Sequence, residues 1–526
     1  MMSLLNLSTS TGVATYVLYG LLSTVVLALS YQLLLHPLRN YPGPLIAKFT
    51  NAYAGYFAVK RNIHLEIWRN HQKYGPVFRL GPDRLVFSTA PALRDIYQNE
   101  RVTKPPIYLA TQSQSNAHST WNSLDRDMHR RKRKLVGRAT TEASMRSFEP
   151  TMVEQVDIFI QGLARDHQKQ QPINVKDRCS YLSFDIVGLL SFGYALNLQR
   201  DEQNQFLAEQ LAHGNHRMNV YMQFPFIVRH KLQTWINLLF RQGREKTARL
   251  IETMIRSRMA DDTKARRDLF SFVADAVNAK DDEGLRLGDL WYEAFFFIVA
   301  GGDTTATALS ATLFYLSRNS ECYTKLATEI RTAFRKGAEI SGKGLAGCQY
   351  LRACIDESLR MSPPTPGTLW RHLAPEEEGR GPFVVDGHVI PKGTKVGVNT
   401  YSLHHNEEYF PNPFKYDPGR WLIAGDSDEK AAKKKAMHDA FAAFSVGSRG
   451  CAGKPTAYLE LSLSLAKILW YLDFETAPGE LGQVGVSQEG DFRLYDIFTS
   501  THDGPYLVFK PRDTFVEDFG NAPVNG

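Results

Sequence analysis

Residues 13 to 35, VATYVLYGLLSTVVLALSYQLLL, form a run of 23 residues without a charged side chain. A helix of about 20 apolar residues is long enough to cross the hydrocarbon core of a bilayer. A signal peptide is the alternative, but no basic residue precedes the run, and the run is long for the apolar part of such a signal. We therefore predict a retained transmembrane anchor, preceded by a short lumenal N-terminus at residues 1 to 12.

The anchor is followed by basic residues, the first of them Arg39 and Lys48, and none precedes it. Because cytoplasmic flanks carry the excess of positive charge, the body of the protein is predicted to face the cytosol. Residues 36 to 44, HPLRNYPGP, connect the anchor to that body. Their prolines oppose a helix and favour an extended, stiff hinge.

Residues 45 to 526 are rich enough in apolar side chains to form one large core, since 43% of the chain is hydrophobic and 22% is charged. No Gly/Ser linker divides this region, so we predict a single domain that is mainly α with a minor β region. Apolar periodicity predicts long helices at 145–165, 181–192, 244–260, 287–318 and 321–335. Short strands are predicted at 77–88, 383–390 and 394–401.

Charge and cysteine content exclude several classes of protein. The net charge of +7 suits an acidic partner or an anionic membrane surface, and no basic tract interleaved with aromatics points to nucleic acid. The five cysteines are odd in number, widely spaced and lack a C-x-x-C pair, which argues against a disulfide scaffold and a zinc site. Reduced thiols agree with a cytosolic body.

FSVGSRGCAGK, residues 444 to 454, places Cys451 among three glycines before a helical stretch. A nucleophilic cysteine needs a base, and no histidine is near in sequence, although a distant one remains open. Zinc needs further ligands that do not cluster here. An axial thiolate of haem iron needs no second protein ligand on its face, and backbone N–H groups at a helix start stabilise a thiolate. Gly447, Gly450 and Gly453 would let backbone approach the sulfur and a flat cofactor.

The same stretch resembles the haem-binding signature of the cytochrome P-450 family, Phe-x-x-Gly-x-Arg-x-Cys-x-Gly, at every fixed position. The resemblance implies the P-450 fold, haem b as cofactor and Cys451 as its iron ligand. It also implies that Arg449 pairs with a haem propionate, that Phe444 packs near the sulfur and that Gly453 lies against the haem.

AGGDTTATA, residues 300 to 308, resembles the oxygen-activating motif of the family's central helix. On that resemblance Asp303 and Thr304 are the catalytic pair, with Asp303 delivering protons through water. Two adjacent glycines lower helix stability by roughly 1 kcal/mol each. We expect them to let the helix open locally beside a small ligand.

DESLRMSPP, residues 356 to 364, resembles the Glu-x-x-Arg helix of the family through Glu357 and Arg360. Such pairs are usually exposed and weak, but in the family this one is buried and joined by a later arginine. Arg420 is the candidate for that third member. It follows Gly419, where the family usually has glutamate, and this puts one ancillary contact in doubt.

DRDMHRRKRKLV, residues 125 to 136, is strongly basic. The family often has Trp-x-x-x-Arg here, and this chain has His129 and Arg133 at the matching positions. By resemblance these two residues, together with Arg371, contact haem propionates. We expect the other cations to form either a solvated helix face or a docking patch for an acidic reductase.

Together the motifs imply a monooxygenase with a haem domain at residues 45 to 526, anchored as a single-pass protein in the endoplasmic reticulum membrane with its catalytic domain cytosolic. Electrons would come from NADPH through NADPH–cytochrome P-450 reductase, with cytochrome b5 as an optional second donor, because the chain has no flavin or nicotinamide fingerprint of its own. We expect a lipophilic small molecule as substrate, hydroxylated or epoxidised in fungal polyketide, terpenoid or alkaloid biosynthesis. Aromatic-acid or xenobiotic hydroxylation is the alternative.

The predicted substrate pocket draws on residues 105–120, 296–304, 366–370 and 497–500, including Tyr108, Phe296, Phe297, Trp370, Ile497 and Phe498. FPFIVRHKLQTWINLLF, residues 224 to 240, is either a lid that dips into the membrane or ordinary amphipathic packing. Two other classes of haem protein remain open, an isomerase or dehydratase that does not activate O₂ and a sensor or carrier. The Asp303–Thr304 pair argues against the first.

Overall fold

The computed structural model describes residues 2–111, 118–167, 171–260, 287–423 and 427–520. Its α-helices are α1 Met2–Ser30, α2 Leu45–Phe49, α3 Ala52–Val59, α4 Ile63–Tyr74, α5 Ala90–Tyr97, α6 Arg126–Ala139, α7 Glu142–His167, α8 Val175–Phe192, α9 Phe206–Gln223, α10 Phe226–Arg229, α11 Gln233–Leu239, α12 Arg241–Ala260, α13 Leu287–Arg318, α14 Ser320–Ala333, α15 Gly342–Leu345, α16 Gln349–Met361, α17 Thr400–His404, α18 Asp428–Ala440, α19 Lys454–Tyr471 and α20 Asp513–Phe519. The strands are β1 Val77–Gly81, β2 Arg84–Phe87, β3 Val102–Thr103, β4 Ile173–Asn174, β5 His372–Leu373, β6 Val384–Val385, β7 His388–Val389, β8 Lys395–Val398, β9 Leu472–Thr476, β10 Tyr495–Ile497, β11 Thr499–Thr501 and β12 Tyr506–Pro511. The architecture is mainly α with a minor β region, as predicted.

The anchor runs from α1 through a π-helical turn, Tyr31–Leu35, and Thr15–Leu35 is long and apolar enough to cross a membrane. The hinge that follows is not extended, because its backbone turns and the Arg39 N–H donates to the His36 carbonyl over 2.9 Å. Leu38 is 1% exposed and packs in the core beside the small sheet. Burial of this leucine stabilises the turn, so proline content alone was a poor guide to the hinge.

The predicted strand at 77–88 is a hairpin, since β1 and β2 pair antiparallel and β8 adds to β2 in parallel. The predicted strand at 383–390 is also a hairpin, formed by β6 and β7. The strand predicted at 394–401 ends at Val398, because the Asn399 side chain caps α17 by accepting the Ser402 N–H over 2.9 Å. These strands lie at the edge of a helical core.

The 32-residue helix α13 has the bounds predicted from periodicity and crosses the core against α8. A Cβ on Gly302 would overlap the Phe184 ring, and one on Gly301 would lie 2.7 Å from Val187 Cγ2. The helix is continuous through both glycines. The structure therefore shows no local opening at these glycines, and the close approach of α8 accounts for both of them.

Candidate active site

A cavity of about 1340 Å³ lies at the centre of the domain. Its walls come from α6, α8, α9, α12, α13, the start of α19 and the loop that carries Cys451. Cys451 and Thr304, which are 147 residues apart in sequence, both line it. The cavity is large enough to hold a flat cofactor together with a lipophilic ligand.

The loop before α19 is held by its own backbone. The Cys451 N–H donates to the Phe444 carbonyl over 2.8 Å, and the Gly450 N–H donates to the Gly447 carbonyl over 3.0 Å. Gly447 has φ +76°, and a Cβ there would overlap the Tyr97 carbonyl. The close approach of the backbone at the end of α5 therefore requires a glycine at this position.

Cys451 is exposed and lines the cavity, whereas Cys322 is half-buried and the other three cysteines are buried. Protein atoms crowd the thiol from its other sides, and this burial raises its pKa above the ordinary value. The N–H groups of Gly453 and Lys454 at the start of α19 act in the opposite direction, as does the positive charge of Arg133. The loop therefore supplies the donors that a thiolate needs, while Phe444 packs beside it on Tyr458 at 5.0 Å between ring centroids.

Five basic side chains line one region of the cavity: Lys104, His129, Arg133, Arg371 and Arg449. His129, Arg371 and Lys104 are each less than 7% exposed. Burial, reinforced by the charges of Arg449, Lys104, Arg133 and Arg371, lowers the pKa of His129 to about 3. In the described part of the chain, none of the four cationic side chains has a carboxylate within 4 Å.

These buried cations test whether haem fits. Uncompensated charge is unfavourable in a protein interior, so the group that fits here carries negative charge on one edge. Lys104 contributes although no motif singled it out; its ammonium binds the Trp121 carbonyl and lies 4.3 Å from the centre of the Trp121 ring. A thiol on one wall, and four basic side chains along another that have no carboxylate partner among the described residues, match a flat, iron-containing dicarboxylate.

Asp303 and Thr304 occupy the middle of α13, and only Thr304 lines the cavity. The Thr304 hydroxyl donates to the Ala300 carbonyl over 2.7 Å, which leaves its lone pairs for another donor. Asp303 accepts from Asn215 Nδ2 over 2.8 Å and from Thr499 Oγ1 over 3.5 Å. It retains some accessible surface, but protein atoms surround its carboxyl, and this burial raises its pKa to about 7.

The residues of the Glu-x-x-Arg motif form a buried network. Arg360 donates to both carboxylate oxygens of Glu357 over 2.9 Å, and Arg420 Nε donates to Oε1 over 2.9 Å. Trp421 Nε1 donates to Oε2 over 3.0 Å. Gly419 causes no gap in this arrangement. Trp421 was missed, because no sequence signal marks an indole as a partner of a distant carboxylate.

Only some of the basic side chains in residues 125–136 are exposed to solvent. Lys132 is 1% exposed, and its ammonium lies 3.3 Å from Glu293 and 3.8 Å from Asp289. Arg126 pairs with two glutamates of the segment after β5, each over 3.0 Å. The exposed cations of this stretch are Arg130, Arg131 and Lys134. The expected docking patch is correspondingly smaller, because α6 packs its Lys132 face onto α13.

Of the aromatic residues predicted for the substrate pocket, Phe296, Phe297 and Phe498 line the cavity. Tyr108 and Trp370 are fully buried, Ile497 is 2% exposed, and none of these three side chains lines the cavity. Trp121 takes the place expected for Tyr108; its ring lies 4.8 Å from Phe498 and 6.2 Å from Phe296. Residues 112–117 of the predicted pocket lie outside the described residues.

Comparison with known proteins agrees with this geometry. The family model described as Cytochrome P450 matches residues 42–485. The cytochrome P450 monooxygenase poxM of Penicillium oxalicum is 36% identical, with 91% of each chain covered. The monooxygenase named apf7, of Gibberella fujikuroi, is 33% identical over 95% of this chain and 97% of its own. The one named atnE, of Emericella nidulans, is 32% identical over 91% of this chain and 93% of its own.

The chain belongs to the cytochrome P450 family and is a P450 monooxygenase. Haem iron is the cofactor of this family, and its members take electrons from a redox partner and bind a small-molecule substrate.

Proposed function

We propose that the protein is a haem-thiolate monooxygenase of the endoplasmic reticulum membrane that hydroxylates or epoxidises a lipophilic small molecule in fungal secondary-metabolite biosynthesis. Residues 45 to 526 form its haem domain. NADPH–cytochrome P450 reductase supplies its electrons, with cytochrome b5 as a second donor. The observation that carries this proposal is that Cys451, Thr304 and the unpaired cations line a single cavity.

Cys451 would hold the iron of haem b through its thiolate, with Phe444 near the sulfur and Gly453 against the haem. Arg449, Arg371, His129, Arg133 and Lys104 would hold the propionates, since these side chains line the cavity and pair with no carboxylate in the described ranges. When bound, thiolate-ligated haem supplies the chemistry of oxygen activation. The surrounding residues position the substrate, exclude water and supply protons.

Asp303 is proposed as the proton source and Thr304 as the residue that orients water in the cavity. A pKa of about 7 leaves the Asp303 carboxyl about half protonated near neutral pH, so it can both give up and regain a proton. Asn215 and Thr499 hold that carboxyl at the back of the cavity wall. A Thr304→Ala variant is expected to consume NADPH with less product formed, and unchanged coupling would argue against this role.

Membrane attachment is proposed to involve more than the anchor. Segment 224–240 exposes a set of large apolar side chains: Phe226, Leu232, Trp235, Leu238, Leu239 and Phe240. Tyr56 and Val59 on α3 are also exposed, and α3 is joined to α9 where His216 Nε2 lies 3.1 Å from the Ala58 carbonyl. Such a surface favours the lid that dips into the membrane, through which a lipid-dissolved substrate would enter.

The deciding experiment is the ferrous–CO difference spectrum of the full chain in membranes. A red-shifted Soret band of the thiolate type is expected, and Cys451→Ser should abolish it; its absence from the parent protein would refute the proposal. Product formation that requires NADPH and reductase would separate a monooxygenase from an isomerase or dehydratase. Product analysis after feeding candidate fungal metabolites would then identify the substrate.

A further inference from the structure

The outer end of the cavity lies between α9 and α12, far along the chain from the motifs already described. Arg217 and Tyr221 line it from α9, and Arg241, Arg244 and Glu245 line it from α12. Arg244 is exposed and Arg217 is half-buried. This end is therefore the mouth of the cavity, and its charge differs from that of the apolar wall formed by Phe296, Phe297 and Phe498.

Two of the three arginines at the mouth have no counterion among the described residues. Arg241 Nε lies 2.6 Å from Glu245 Oε1, so that pair is neutral. Within the described ranges, neither Arg217 nor Arg244 forms an ion pair or a side-chain hydrogen bond. The Arg217 guanidinium lies instead over the Phe240 ring, 4.5 Å from its centroid. Packing against this ring holds Arg217 at the mouth while leaving its N–H groups free for a ligand.

Tyr221 is the second, independent observation. It is 7% exposed, lines the same cavity, and its hydroxyl has no hydrogen-bond partner in the part of the chain that the structure describes. Burial raises the pKa of the Tyr221 hydroxyl, and the charges of Arg217 and Arg244, which lie close by, oppose this shift. A buried hydroxyl without a partner is unfavourable, and an anionic acceptor between the two arginines would satisfy it.

We propose that Arg217, Arg244 and Tyr221 bind the carboxylate of the substrate, which is a lipophilic carboxylic acid. The acid group stays at the mouth, and the apolar body extends along Trp121 and Phe498 toward the reaction centre. This inference rests on the proposed monooxygenase function and names its substrate class. The phosphate of an anionic lipid headgroup has the same recognition chemistry, and the experiment separates the two sources.

The test measures equilibrium binding to the full-length holoenzyme in discs of neutral phosphatidylcholine, at a pH where the acid is ionised. The probes are radiolabelled dodecanoic acid and methyl dodecanoate, with the Soret spin-state shift as a second readout. The parent protein should bind the acid roughly tenfold more tightly than the ester, as expected for charge-assisted hydrogen bonds. Arg217→Gln/Arg244→Gln should reduce this preference to within about twofold and leave ester binding unchanged.

The matched control is Arg241→Gln/Glu245→Gln, which removes a neutral pair from the same mouth and should retain the acid preference. If the double arginine variant does not fold, as judged by its ferrous–CO spectrum, Tyr221→Phe provides a milder test, with a two- to fivefold loss expected for the acid alone. Equal affinity of the parent protein for both probes, or equal loss in the control pair, would overturn the proposal.

A third arm replaces part of the phosphatidylcholine with phosphatidylglycerol. If the acid has no advantage in neutral discs and the anionic lipid alters ester binding only when both arginines are present, the site binds a headgroup and the substrate assignment is wrong. The binding measurement does not depend on turnover. If the protein prefers the acid but forms no product with NADPH and reductase, the proposed function is rejected and the carboxylate site is retained.

Discussion

Glu357→Gln is the substitution whose consequence the structure determines most directly. The carboxylate of Glu357 accepts five hydrogen bonds, three from Arg360 and Arg420, one from the Trp421 indole and one from the Asp417 backbone. Arg360 is 0% exposed and Arg420 is 8% exposed. An amide nitrogen cannot accept a hydrogen bond, so the variant keeps one acceptor oxygen and leaves two buried guanidinium groups without a counterion.

Removing one partner of a buried ion pair costs about 3 to 5 kcal/mol of folding stability. Burial by itself would raise the pKa of Glu357, but the charges and hydrogen bonds of Arg360 and Arg420 outweigh it and hold the pKa below its ordinary value. The wild-type carboxylate therefore stabilises the fold fully above pH 4.5, and this contribution is lost as the pH falls through the lowered pKa of the folded state. The difference between wild type and variant should shrink in the same acidic range.

Urea unfolding of the full chain in detergent, followed by tryptophan fluorescence, measures this effect. Glu252→Gln is the control, because its carboxylate pairs with Arg256 over 2.6 Å on an exposed helix face, where such a pair contributes about 0.5 kcal/mol or less. The reasoning is refuted if Glu357→Gln unfolds within about 1 kcal/mol of wild type, or no more easily than the control.

Three further substitutions test the core and the site. Gly302→Ala should destabilise the protein, because overlap of the new methyl group with Phe184 costs about 1–3 kcal/mol and outweighs the gain of about 1 kcal/mol in helix propensity. Thermal unfolding would show the lower stability, and adding Phe184→Leu should restore it. Because the pKa of Asp303 is raised in the folded state, the wild type should lose stability as the pH rises from about 4 to about 7, and Asp303→Asn should not. The stability of the variant relative to wild type should therefore increase over this range. Urea midpoints measured across it would contradict this if the difference between the two proteins did not change with pH. Lys132→Gln should lower the unfolding temperature by leaving Glu293 buried without its cation, whereas a surface lysine would show no change.

Much of the fold follows from local patterns in the sequence. The bounds of the helix at 287–318 agree with its apolar periodicity, and the hairpins at 77–88 and 383–390 follow from short β-prone runs around turn residues. The apolar run at 13–35 is a helix because every turn of it satisfies its own backbone hydrogen bonds, whatever surrounds it. The residues around Cys451 were identifiable because FSVGSRGCAG matches the haem-binding signature of the family at every fixed position.

The environment of individual side chains was decided by the tertiary structure. Lys132 lies in a run of cations that a sequence assigns to solvent, yet α13 covers it with two carboxylates. Gly302 packs against Phe184, which lies 118 residues earlier in the chain. Tyr221 lines the cavity together with Arg217 on α9 and Arg244 on α12. Periodicity determines which face of a helix is apolar, because it depends on neighbours three or four residues away. What packs against that face depends on how distant segments meet, and so only the folded chain brings the thiol, the cations and the candidate carboxylate site to one cavity.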